Sequence, residues 1–177
     1  MPPFPEALNQ MRLPKTPVNA PGDLAGNHSY RKLSALDVDE HAGNLGKWDQ
    51  RYDQVSSGSF RGTLSELWMG DMQIFREITT QSVLEQGEAW AGARLFGVPM
   101  AMHGSGSFCD RPLQSDSIFS CAPSTEFSLH SPKQFDVIGI AVKEEDYQQA
   151  AASFADAGSK RLLSDHPAVM CCQSGLA

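Results

Sequence analysis

The 177-residue chain lacks a basic surplus: 14 Lys and Arg stand against 21 Asp and Glu, a formal charge of −7. Non-specific affinity for nucleic acid comes from clustered Lys and Arg that displace counterions, so the sequence has no electrostatic footprint for a phosphate backbone. No window reaches the apolar length of a membrane span. The opening Met1-Pro2-Pro3-Phe4-Pro5 has neither the charged nor the apolar stretch of a signal peptide. The chain therefore reads as soluble and cytoplasmic. Cysteine is sparse as well: Cys109, Cys121, Cys171 and Cys172 show no C-x-x-C spacing and are too few for a disulfide scaffold. They read as plain thiols, since a disulfide between the neighbours Cys171 and Cys172 would be strained.

Catalytic patterns are missing too. A metal centre in a small β-barrel needs imidazoles and a carboxylate converging from neighbouring strands. There is no His-x-His: His103 is followed by Gly104-Ser105-Gly106, and His130 stands alone between Leu129 and Ser131. Gly104-Ser105-Gly106-Ser107 is not a G-x-S-x-G nucleophile elbow, and it lacks the spacing and following helix of a phosphate loop. A turn of a tight hairpin is the simpler reading. The sequence thus assigns no catalytic residue, no metal ligand and no cofactor.

What is present is alternation. In the run 60–69, Phe60, Leu64 and Trp68 share one face, and the dipeptide Gly70-Asp71 separates this run from Met72–Ile78. That pattern predicts a two-residue β-hairpin with Leu67 facing Ile74 and Glu66 facing Phe75. Further strands are expected over Asp49–Val55, Met72–Val83, Arg94–Met100, Ser107–Arg111, Ser117–Cys121, Thr125–His130 and Phe135–Val142, broken by turn residues. About eight strands at such spacing make a sandwich or barrel. Residues 1–35, proline-rich over their first 26 positions, read as a flexible arm. Asp37-x-x-Glu40 is a capping-box spacing, predicting a short helix from Val38 towards Leu45 with His41 on its surface. Lys143–Ala157 changes to helical period, placing Tyr147, Ala151 and Phe154 on one face and three acidic residues in the first turn. Asp165-His166-Pro167 offers another helix start, so 159–177 reads as the beginning of a truncated linker or dimerisation helix.

A pocket follows from the same faces. Glu66 beside Trp68, with Phe75 opposite and Phe96 on a later strand, supplies aromatic walls and an anionic contact, which suits a small cationic or polyhydroxy ligand. The competing reading makes these aromatics core and leaves Glu66 exposed at an edge or paired with Arg76 or Arg94.

Asp37–Ala42, Trp48–Ser56, Phe60–Leu67, Ile74–Glu77, Phe96–Pro99 and Phe127–Ile140 together resemble the amino-terminal domain of AraC-type transcriptional regulators, in particular the subgroup of ethanolamine-operon activators. The resemblance spans most of 37–156 and rests on a scattered pattern. It implies a mainly β, cupin-like jelly-roll barrel that senses a small-molecule effector, a homodimer formed through following helices, and DNA contacted only through a carboxy-terminal pair of helix-turn-helix units. Nothing after Gly158 is long or basic enough for those units. The alternatives from other classes are a metal-dependent cupin enzyme and a standalone interaction module.

Overall fold

The computed structural model describes residues 28–153 and 166–171. They form the strands β1 (His28–Ala35), β2 (Asp49–Gln54), β3 (Gly62–Met69), β4 (Met72–Thr79), β5 (Val83–Glu88), β6 (Ala93–Ala101), β7 (Gly106–Phe108), β8 (Arg111–Leu113), β9 (Ser117–Cys121), β10 (Phe127–Ser131), β11 (Phe135–Lys143) and β12 (Ala168–Cys171). Two helices join them, α1 (Val38–Ala42) and α2 (Glu144–Ser153). One antiparallel sheet runs β1-β3-β4-β11-β6-β9-β12 and the other β2-β5-β10-β7-β8, so the fold is the mainly β, jelly-roll-like arrangement expected.

The hairpin has the predicted register. Leu67 pairs with Ile74, Glu66 with Phe75, and Met69 with Met72 across a turn in which Gly70 takes φ 59°. Leu64, Glu66, Gln73, Phe75 and Glu77 point inward while their neighbours along the chain are more exposed, the period-2 pattern of a sheet with one buried face. Asp37 caps α1 by accepting from the backbone N–H groups of Asp39 (2.9 Å) and Glu40 (3.2 Å). The helix stops at Ala42, short of Leu45. His41 is buried rather than on the surface, because its ring lies over Gly62, where a Cβ would come within 2.5 Å of the imidazole.

Elsewhere the sequence expectations need correction. The arm assigned to 1–35 ends in an ordered strand: β1 pairs with β3 along its whole length, and residues 1–27 lie outside the described residues. The single run Met72–Val83 is two strands in different sheets. It breaks at Ser82, whose Oγ donates to the Ser131 carbonyl (2.5 Å) and whose own carbonyl accepts from the Val55 N–H (2.9 Å). Those bonds transfer the chain to the second sheet. Ser107–Arg111 is a tight hairpin turning through Cys109 and Asp110, both at positive φ. Ala168–Cys171 is a strand rather than a helix, because β9 offers it a full edge of backbone partners. Phe154 and Cys172 lie outside the described residues.

Between the sheets, Leu64, Phe75, Leu95, Phe108, Phe119 and Phe127 form the main core, with a smaller cluster of Ala42, Tyr52, Phe60 and Val83 beneath α1. Two glycines make that core possible. Gly139 on β11 pairs with Gly97 on β6, and a Cβ on either would stand 2.0 Å from the ring of Phe75 or Phe119. The rings occupy the space that side chains would fill.

Candidate functional site

The predicted site residues divide between the two faces of the larger sheet. Glu66 is 1% exposed and points inward. Its partners are neither Arg76, which is bound to Asp136, nor Arg94, which is bound to Glu144. Arg31 Nε on β1 donates to Glu66 Oε2, and Gln73 Nε2 donates to Glu66 Oε1 (2.6 Å). Gln73 Oε1 in turn accepts from the indoles of Trp48 (2.9 Å) and Trp90 (3.1 Å). Both carboxylate oxygens of Glu66 are therefore engaged within the protein, in a network that links the edge strand to the barrel wall. Trp68, opposite Gln73, packs on Trp90 at 5.7 Å and lies under the Lys47 ammonium at 4.1 Å. Phe75 packs edge-on against Trp48 at 5.5 Å. The structure brings these three to one end of the interior. Phe96 is not brought there: it sits on the outer face of β6 against Tyr147 of α2 at 5.2 Å.

Beyond that network lies an internal cavity with room for about one water. Trp48, Phe75, Phe119 and Phe127 wall it, and its polar lining consists of Gln50, Tyr52, Glu77 and Glu85. Gln50 and Phe127 also border a wider open hollow rimmed by Asp49, Arg51, Glu88 and Glu126 at the same end of the smaller sheet. The cavity thus sits one layer of side chains behind solvent.

The polar lining is built from both sheets. Tyr52 on β2 and Glu85 on β5 are direct cross-strand partners, while Glu77 comes from β4 in the opposite sheet. The Tyr52 hydroxyl donates to Glu77 Oε2 at 3.4 Å. His41 Nε2 lies 2.8 Å from Glu77 Oε1, close enough for an ion pair, although neither ring nitrogen has a well-directed hydrogen bond. Burial, then the neighbouring Glu77, pushes the Glu85 carboxyl well above the usual range, against a lowering hydrogen bond from Tyr52. Burial likewise raises the Tyr52 phenol, with both carboxylates adding to it. Sequence reasoning missed all of these groups. Glu77 had a signal, since it shares the inward face of Gln73 and Phe75; Glu85 had none, because the expected strand ended at Val83. Among the described residues, no three His, Cys, Asp or Glu side chains converge as a metal site.

No family model matches the chain. Its fold is similar to that in the crystal structure of the AraC-like transcriptional activator CuxR, with a TM-score of 0.52 at 15% identity over 78% of this chain. The likeness is one of fold. The matched part is 54% of the CuxR chain, so this chain spans about half the length of that protein. No described helix is long and apolar enough to cross a membrane.

Proposed function

We propose that the chain is the effector-sensing and dimerisation domain of an AraC-type transcription regulator, acting on attached DNA-binding domains in the cytoplasm rather than as an enzyme. The observation that carries this reading is the internal cavity: an aromatic-walled space with buried polar groups, inside a fold similar to that of an AraC-like activator. Occupancy of the cavity would shift the balance between two arrangements of the domain, and so the presentation of whatever it is joined to. With a formal charge of −7, the domain itself offers duplex DNA little attraction.

The test joins the chain to a heterologous DNA-binding domain that represses a reporter only as a dimer, alongside sedimentation of the chain alone. Repression together with a micromolar dimer supports the reading. A monomer at all concentrations that leaves the reporter unrepressed removes the dimerisation claim. One equivalent of tightly bound transition metal in the purified chain would favour a metal-dependent cupin enzyme instead.

A further inference from the structure

The cavity holds a carboxyl group that meets no cation among the described residues. Of the inward-facing glutamates, Glu66 meets Arg31 and Glu77 has the His41 imidazole beside it. Glu85, 5% exposed, forms no ion pair among the described residues. The groups around it are Tyr52 across on β2, Leu129 across on β10, and Glu77 from the opposite sheet with His41 behind it. A single tyrosine hydroxyl proton cannot serve two carboxylates, and two like charges in a water-poor interior do not both ionise. Gln50 supplies a second unspent group: its Nε2 donates to the Ala42 carbonyl (3.0 Å), while its buried Oε1 has no partner among the described residues.

We propose that Glu85 sets the charge class of the ligand: it meets an uncharged small molecule as a carboxylic acid, donating its O–H to an acceptor there, while Gln50 Oε1 accepts a hydrogen from the same molecule. A carboxylic acid kept neutral by an apolar site is an effective hydrogen-bond donor, and the four aromatic rings take the apolar remainder of the ligand. Glu77, a second acidic side chain in the lining, disfavours anions. A cation gains less than the carboxylate count suggests, because Glu66 and Glu77 already have partners. The space holds one water-sized group as it stands. Gln50 and Phe127, which separate it from the outer hollow, are the side chains whose rotation admits a molecule of a few heavy atoms.

This inference rests on the cavity being the effector site, and its test is independent of the dimer and reporter assays. Acetamide, acetamidinium and acetate share one shape and differ in charge. Each is titrated against the full chain at matched ionic strength, read by the indole N–H resonance of Trp48 and by melting temperature. Acetamide is expected to shift the Trp48 resonance saturably and raise the melting temperature; acetamidinium and acetate are expected to do neither. Glu85→Gln, neutral and still a donor, keeps the acetamide response, and Glu85→Leu loses it at least tenfold. Raising the pH weakens the response of the wild type but not that of Glu85→Gln. A stronger response to acetamidinium, loss of the acetamide response in Glu85→Gln, or no acetamide response in the wild type overturns the assignment, while a positive reporter result would still support the sensor reading.

Discussion

At the scale of single residues, Glu85 ties stability to pH. An acid whose pKa is raised by folding imposes no cost below its unfolded value, near about 4.3 for a glutamate. Above that value the unfolded chain gives up a proton that the fold retains, so stability falls with rising pH until the folded pKa is reached. Glu85→Gln removes this component. It is expected to be more stable than the wild type at neutral pH by about 1–3 kcal/mol, the usual cost of a poorly compensated buried polar group. The difference should vanish as pH approaches the unfolded value. Urea melts of both proteins between mildly acidic and neutral pH check the sign, and parallel curves would refute it. Gly139 makes a steric prediction. A methyl group there meets the Phe75 ring at 2.0 Å inside a packed core, so Gly139→Ala should cost about 1–3 kcal/mol by overpacking. Gly139→Ala with Phe75→Leu should recover part of the loss, measured by the same melts.

At the scale of elements, β1 shows what the sequence made legible and what it hid. The β3–β4 hairpin could be read because Gly70-Asp71 marks the turn and apolar residues alternate on both sides. β1 carries no such signal: seven of its eight residues are exposed or half-exposed, so nothing in His28–Ala35 alternates. Its order comes from elsewhere, from backbone pairing with β3 and from Arg31, which spans to Glu66 and also donates to the Asn44 carbonyl (2.8 Å). The candidate site followed the same rule. Trp68 and Phe75 were found through a local period, whereas Glu85 and Tyr52 meet Glu77 only because two sheets stack, a relation that no local pattern encodes. Arg31 therefore makes a prediction for the whole strand. Arg31→Gln leaves the Glu66 carboxylate buried beside Gln73 alone, and should cost about 2 kcal/mol, discounted from a fully buried pair because Arg31 is half-exposed. Faster amide exchange along β1 is expected to accompany it. Adding Glu66→Gln should restore most of the stability, and an additive double mutant would show that the pair does not anchor the strand.

At the scale of the whole molecule, the thiols report whether the two sheets stay closed. Burial pushes the Cys121 thiol up to about 12, so almost no thiolate exists near neutral pH, whereas Cys171 is exposed on β12. A thiol reagent is expected to modify Cys171 quickly and Cys121 only as fast as the sandwich opens. Mass mapping of the labelled peptides checks this order. Equal rates at the two positions would mean that the β9–β12 end of the larger sheet frays readily.

The place of β11 bears on how the chain acquires its shape. This strand lies between β4 and β6, pairing Ile140 with both Ile74 and Phe96, yet it follows them by some forty to sixty residues in sequence. During synthesis the keystone of the larger sheet thus leaves the ribosome after the strands it must join. Until Phe135–Lys143 emerges, β4 and β6 each present a bare hydrogen-bonding edge and the Phe75 ring has no Gly139 to rest against. A nascent chain paused at that point is the form most exposed to pairing with a stranger and most in need of a chaperone.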